Sequence, residues 1–103
     1  MLNIEIEEYF KNPRTIKHID TDDTYNLILT FDNEEVRIYS MRDKIEGVFS
    51  ILQNIHKFSS VFIDEFGNAA WDIDPSVDSS EHWNNRIDIC KDALYLESQP
   101  IIK

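Results

Sequence analysis

Apolar and polar residues alternate along three stretches near the start of the chain, at residues 2–10, 16–19 and 25–31. An alternation of period two places successive side chains on opposite faces, as in a strand with one buried face. The third stretch has the clearest apolar set, which consists of Tyr25, Leu27, Leu29 and Phe31. The pattern therefore predicts three strands in this part of the chain.

A tight turn, Asp32-Asn33-Glu34, follows the third predicted strand and separates it from residues 36–39. The β-branched and aromatic residues of 36–39 indicate the second strand of a hairpin. The turn lacks the glycine that short hairpins prefer, although Asn33 adopts a positive φ more readily than most residues.

The spacing of apolar residues changes to three and four after Ser40, at Ile45, Val48, Phe49 and Leu52. This spacing predicts a short amphipathic helix. Gly47 costs roughly 1 kcal/mol of helix stability relative to alanine, so two short helical turns are an equal alternative.

The second half of the chain shows another hairpin pattern, with residues 58–63 and 69–71 joined by a turn that contains Gly67-Asn68. Both turn residues suit a left-handed backbone. A short closing helix is expected within 88–96, and the tail past Gln99 is expected to fray.

Strands outnumber helices in these predictions, and short connections join them. We therefore expect an α+β fold: a small antiparallel, meander-like sheet with one or two short helices packed on one face. A length of 103 residues suits a single domain, spanning residues 1–103.

The chain is strongly acidic, with 20 acidic and 10 basic residues and a net charge of −10. Charge of this sign repels phosphate backbones and anionic membranes, so neither nucleic acid nor a membrane is an expected partner. It attracts basic surfaces, which are typically those that hold DNA or RNA. The alternative is that the charge serves solubility alone.

The number of cysteines and the length of the apolar runs indicate the cellular compartment of the protein. The single cysteine, Cys90, allows no intramolecular disulfide, and no apolar leader opens the chain. The longest apolar runs are well short of the ~20 residues that span a bilayer. We therefore expect a cytoplasmic protein.

Three segments follow one another in a familiar order: the hairpin 25–39, the run Gly47-Val48-Phe49 with Ile51-Leu52, and the closing run 83–95 with its Trp83-Asn84 and Leu94-Tyr95 pairs. Together, over about residues 14–97, they resemble a small bacterial family called domain of unknown function 2442. The glycine usual in the family's hairpin turn is Glu34 here, and the acidic segment 71–82 makes this a long variant.

The resemblance implies a small α+β fold with several antiparallel strands. Some members of the family look like partners of small toxins or are fused to a helix-turn-helix domain. The resemblance implies no catalytic residue.

The residues themselves do not indicate an enzyme. Cys90 is the only thiol, and no phosphate loop, nucleophile elbow or zincin helix occurs. A lone cysteine is more often a small buried apolar residue than a nucleophile.

Metal binding is a weaker hypothesis. Asp72, Asp74, Ser76 and Asp78 have the alternating offsets that begin a calcium loop, but Val77 replaces the required glycine and Trp83 the closing glutamate. Zinc remains chemically feasible at His82, Cys90 and His56, although their spacing lacks the paired ligands of a zinc finger. No cofactor is otherwise expected.

The distribution of acidic residues is most informative in the longest segment that contains no lysine or arginine. No lysine or arginine lies between Lys57 and Arg86, a window that also contains the aromatic residues Phe66, Trp71 and Trp83. Its acidic residues are Asp64, Glu65, Asp72, Asp74, Asp78 and Glu81. On a folded scaffold, such carboxylates imitate the charge of a nucleic-acid backbone and fit a basic groove. The alternative is a solvated face with its aromatic residues turned into the core.

We therefore predict a non-enzymatic binding protein that inhibits or regulates a basic nucleic-acid-handling protein through these six acidic residues. An antitoxin-like setting and an anti-CRISPR-like setting both fit. Two alternatives from other classes are a structural or accessory module that forms homodimers and a metal-dependent binder.

Overall fold

The computed structural model describes residues 3–101, with the side chains of 7–82 and 84–101. The helices are α1 (Asn3–Lys11), α2 (Ile55–Phe58) and α3 (Lys91–Glu97). The strands are β1 (Ile16–Thr21), β2 (Asn26–Phe31), β3 (Val36–Ser40), β4 (Phe62–Ile63), β5 (Ala69–Asp72), β6 (Arg86–Ile89) and β7 (Gln99–Pro100). Short 3₁₀ segments lie at Arg42–Lys44, Gly47–Gln53 and Trp83–Asn85.

The strands form two antiparallel sheets, with the orders β1-β2-β3-β7 and β4-β5-β6. In the larger sheet Leu29 of β2 lies between Ile19 of β1 and Arg37 of β3. β2 follows the predicted alternation, because Leu27, Leu29 and Phe31 are buried and the residues between them are only partly so. The predicted α+β fold and the meander order are confirmed, and the second hairpin pairs with β6 to form the smaller sheet.

One hydrophobic core joins the two sheets around Trp71 of β5. The Trp71 side chain is completely buried, and its Nε1 donates to the Phe58 carbonyl oxygen at 2.8 Å. Its ring stacks on Phe58 of α2, whose ring meets the edge of Tyr25, next to β2. α2 therefore connects the smaller sheet to the larger one through contacts between aromatic rings.

The 3₁₀ segments and α2 replace the single amphipathic helix that the spacing after Ser40 predicts. Of the two alternatives, the structure has the interrupted one, because Gly47 has a φ of 59° and begins a separate 3₁₀ segment. Leu52 is buried as expected, whereas Val48 is 69% exposed. The tighter winding of a 3₁₀ segment rotates Val48 away from the buried face.

The strand predicted at residues 2–10 is wrong, because this region forms the helix α1. The segment is rich in glutamate, which favours helix over strand. Tyr9 on this helix is buried, and its hydroxyl donates to the Asp92 carboxylate of α3. A contact with a distant part of the chain therefore holds α1 in place.

The expected fraying past Gln99 is also wrong for the described residues, because Gln99 and Pro100 pair with β3. Arg37 of β3 holds the chain just before this strand: its Nε donates to Ser98 Oγ at 2.7 Å and its Nη2 to the Ser98 carbonyl oxygen at 2.6 Å. The guanidinium also pairs with Glu35 and lies 4.6 Å from the centre of the Tyr95 ring.

None of the helices in residues 3–101 has the length and apolarity that crossing a bilayer requires.

The first hairpin turn places its positive φ at Glu34, with a φ of 68°, rather than at Asn33. Asn33 instead accepts a hydrogen bond from the Glu35 amide at 3.0 Å. A left-handed conformation costs a residue with a Cβ roughly 1–2 kcal/mol. Glu34 therefore carries this strain, whereas a glycine at the same position would not.

We expect Glu34→Gly to be more stable to urea than Glu34→Ala by about 1 kcal/mol, because only glycine adopts this φ without strain. Both variants lose the exposed contact between Glu34 and Lys17, so their difference reports the backbone alone. Equal stability of the two variants would contradict the assignment of strain to Glu34.

A second prediction concerns acid. Burial by itself raises the pKa of Glu35, but hydrogen bonds from Tyr95, Arg37 and Asn33 outweigh it and leave the pKa below its ordinary value of 4.5. The unfolded chain therefore binds more protons than the folded chain as the pH falls below this value, and the free energy of unfolding decreases. We expect a shallower decrease in Glu35→Gln, measured by urea unfolding between pH 7 and pH 3. Equal slopes in the two proteins would exclude this contribution.

Candidate functional site

The loop between β5 and β6, residues 73–85, is closed at its base by Asn85. We call residues 73–85 the acidic loop. The Ile73 amide donates to the Asn85 carbonyl oxygen at 2.7 Å, and the Asp74 amide donates to Asn85 Oδ1 at 2.8 Å. Asn85 Nδ2 donates in turn to the carbonyl oxygens of Asp74 and Val77. These hydrogen bonds give the loop a defined neck at the short 3₁₀ segment Trp83–Asn85.

Two Asp-x-Ser turns shape the inside of the acidic loop. Asp74 Oδ1 accepts from the Ser76 amide at 2.9 Å and from Ser76 Oγ at 2.7 Å. Asp78 Oδ1 accepts from the amide and hydroxyl of Ser80 at 2.9 and 2.6 Å. These hydrogen bonds hold the pKa of Asp74 and of Asp78 below the usual range, so both exposed side chains stay charged.

Arg86 ties the acidic loop to the β4–β5 turn. Its Nε and Nη2 donate to Ser79 Oγ at 3.1 and 3.0 Å, and its Nη1 donates to Glu65 Oε1 at 2.7 Å. Asp64 Oδ2 lies 3.5 Å from the same Nη1, and the Arg86 side chain is only 11% exposed. One guanidinium therefore holds the turn and the loop side by side.

Asp64 and Asp72 belong to the folded framework. Asp64 is buried, and its Oδ1 accepts from the amides of Phe66 and Asn68, which builds the turn. Gly67 completes this turn with a φ of 82°. Asp72 lies on β5 opposite Arg86, and its Oδ1 is buried without a hydrogen bond from a described residue.

The remaining four predicted residues are exposed at the surface. Asp74, Asp78 and Glu81 lie in the acidic loop, and Glu65 lies beside it in the β4–β5 turn. The Glu65 amide and Arg86 hold the pKa of Glu65 below its usual range, and the nearby Asp78 carboxylate acts in the opposite direction. We call these four residues the acidic surface.

The two basic residues at the ends of this window in sequence, Lys57 and Arg86, contact residues of the window in the folded structure. Lys57 Nζ donates to the carbonyl oxygens of Asp72 and Ile73 at 2.9 and 3.1 Å. Arg86 approaches Asp64 and Glu65 from the other border. The absence of bases between these residues in sequence therefore overstates the negative charge of the folded surface. The pairing of β5 with β6, which the sequence did not reveal, brings Arg86 into the window.

The aromatic residues of the window divide between core and surface. Trp71 is completely buried, as the alternative interpretation expects, whereas Phe66 is 71% exposed beside Glu65. The Trp83 side chain lies outside the described part of the structure.

The candidate zinc ligands lie on separate elements. His56 lies on α2, His82 in the acidic loop and Cys90 directly before α3, all three exposed. Among the described residues, no group of three or more histidine, cysteine, aspartate or glutamate side chains is placed to hold a metal ion. Cys90 Sγ lies 3.6 Å from Asp92 Oδ2.

Comparison with protein-family models, with curated proteins and with solved structures found no match to this chain. The resemblance to domain of unknown function 2442 therefore stays a prediction from the motifs.

The described contacts of Arg86 predict a large effect on stability. We expect Arg86→Met to lower the free energy of unfolding by about 3 kcal/mol, because the buried carboxylate of Asp64 loses its counter-charge. Urea unfolding measures the loss. Arg42→Met, at an exposed position, is the matched control and should change stability by less than ~0.5 kcal/mol. Similar stability of the two variants would show that Arg86 does not hold the loop.

Proposed function

We propose that this chain is a non-enzymatic binding protein that inhibits or regulates a protein with a basic nucleic-acid-binding surface. The acidic surface is its contact, and its carboxylates pair with the lysine and arginine side chains of the partner that DNA or RNA phosphates otherwise neutralise. The partner loses access to DNA or RNA because the nucleic acid and this chain compete for the same lysine and arginine side chains.

The observation that carries this proposal is the presentation of charge by a loop with many internal hydrogen bonds. Asn85 closes the loop, Arg86 holds it against the β4–β5 turn, and the serine hydroxyls of the two Asp-x-Ser turns orient two carboxylates. A loop that is ordered before binding loses less conformational entropy in the complex. Charge complementarity then contributes chiefly to the rate of association and to the choice of partner.

Two settings remain within this proposal. An antitoxin-like role, in which the partner is a small basic ribonuclease-type toxin, is supported by the resemblance described above. An anti-CRISPR-like role, in which the partner is a guide-RNA effector with a basic channel, is supported by the charge of the chain. Both require the same acidic surface.

The first experiment identifies the partner and its chemistry. We expect the immobilised chain to retain a protein with a basic nucleic-acid-binding surface from a nuclease-treated extract, with identification by mass spectrometry. Added RNA or about 1 M salt should release this protein, because salt screens exposed charge pairs. A retained protein without a basic surface, or binding that is unchanged at high salt, would refute the proposal.

The second experiment tests the acidic surface itself. We expect Asp74→Asn with Asp78→Asn and Glu81→Gln to weaken binding of the retained partner about tenfold, because three exposed charge pairs are lost. Asparagine keeps the side-chain oxygen that accepts from Ser76 and Ser80, so the loop should remain folded. Isothermal titration calorimetry measures the affinity.

The matched control removes the same charge elsewhere. Asp23→Asn with Asp43→Asn and Glu46→Gln also neutralises three exposed acidic residues, all outside the acidic loop. A purely nonspecific attraction to net charge would weaken binding equally in both variants. Only a selective loss in the loop variant supports the acidic surface as the contact.

A further inference from the structure

A surface pocket of about 220 Å³ lies on the larger sheet, apart from the acidic loop, which belongs to the smaller one. Its lining residues come from β2, β3, the Arg42–Lys44 segment and the end of the chain: Asn26, Ile38, Tyr39, Ser40, Lys44, Glu97 and Gln99. The pocket is smaller than the roughly 300–1,000 Å³ typical of sites for drug-sized ligands. A ligand for it has few non-hydrogen atoms.

The pocket lies beside the short strand β7, whose Gln99 is one of its lining residues. Within residues 3–101, β7 pairs with Arg37 and Ile38 of β3 and not with Tyr39 or Ser40. The contacts of Arg37 with Ser98 hold the chain at this point, directly before β7. The end of β3 therefore borders an open space between Lys44 and Glu97.

Lys44 and Glu97 line this space with opposite charges. Neither Lys44 nor Glu97 forms an ion pair with a described residue. Lys44 Nζ donates to the Ser40 carbonyl oxygen at 3.3 Å and lies 5.1 Å from the centre of the Tyr39 ring. Burial raises the pKa of the Tyr39 hydroxyl, and the Glu97 charge adds to this effect.

The charges limit the class of ligand. A simple anion is repelled by Glu97 and a simple cation by Lys44, whereas a zwitterion pairs with both. Ile38 and the Tyr39 ring supply the apolar part of the lining. We propose that this pocket binds a free aliphatic α-amino acid, with its ammonium at Glu97, its carboxylate at Lys44 and its side chain against Ile38 and Tyr39.

This inference is independent of the acidic surface, because no residue of that surface lines the pocket. Binding of an amino acid adds a small-molecule ligand to a protein whose proposed partner is another protein. The two proposals can fail separately.

L-leucine is the probe, and backbone amide NMR spectra provide the measurement. We expect the amide resonances of Ile38, Ser40 and Gln99 to shift and to saturate at millimolar L-leucine. 3-Methylbutylamine lacks the carboxylate, and 4-methylpentanoate lacks the ammonium. Each should bind at least about tenfold more weakly, since one charged hydrogen bond is lost. The absence of saturating shifts with L-leucine, or an analogue that binds as tightly as L-leucine, would overturn the proposal.

Variants of the two charged residues test the assignment of each group. Lys44→Met and Glu97→Gln should each weaken L-leucine binding about tenfold, whereas Lys11→Met and Glu46→Gln, at exposed positions outside the pocket, should not. Because Lys44 and Glu97 are themselves exposed, thermal unfolding should find both variants folded. Unchanged affinity in folded Lys44→Met and Glu97→Gln proteins would also overturn the proposal.

Discussion

The indole of Trp71 lies fully buried where the two sheets meet, and its Nε1 donates to the Phe58 carbonyl oxygen at 2.8 Å. The smaller sheet has four residues in each of its two longer strands and two in the third, too few to enclose a core by itself. Trp71 supplies the largest fully buried side chain of that sheet and packs it against α2, which in turn contacts Tyr25 beside the larger sheet. The position of β5, and therefore of the loop that follows it, depends on this packing. Because the indole nitrogen is satisfied, its burial leaves no unpaired donor to offset the gain from apolar area.

The excess negative charge of the chain makes Arg86 the second organising residue. Asp64, Glu65 and Asp72 all lie close to it, and a buried carboxylate without a counter-charge costs several kcal/mol. The planar guanidinium also donates to Ser79, so the acidic loop is held by the same group that compensates the buried charge. The carboxylates of the acidic loop itself, Asp74, Asp78 and Glu81, need no buried counter-charge, because they lie at the surface and water solvates them. This division explains why a strongly acidic segment contains residues that serve the fold and others that are accessible to a partner.

The end of the chain is organised by a similar interaction. The Arg37 side chain is partly buried, and its guanidinium pairs with Glu35 and stacks on the Tyr95 ring. It also donates two hydrogen bonds to Ser98. α3 and β7 are thereby attached to β3, although β7 contains only two residues. The pocket beside Tyr39 lies next to this attachment, at the end of β3.

The fold class, the hairpin of β2 and β3 and the turn at Gly67 could be predicted from the sequence, since each depends on local periodicity or on backbone conformation. The break at Gly47 was one of two alternatives that the sequence left open. The sequence did not determine α1, whose alternating apolar residues also suit a helix, because the choice depends on the contact between Tyr9 and Asp92 across the chain. It identified the acidic residues of the window but not their separate roles. The burial of Asp64, the exposure of Asp74 and Asp78 and the entry of Lys57 and Arg86 into the window could not be predicted in this way. They follow from the pairing of strands that are distant in sequence, which sets which charges become neighbours.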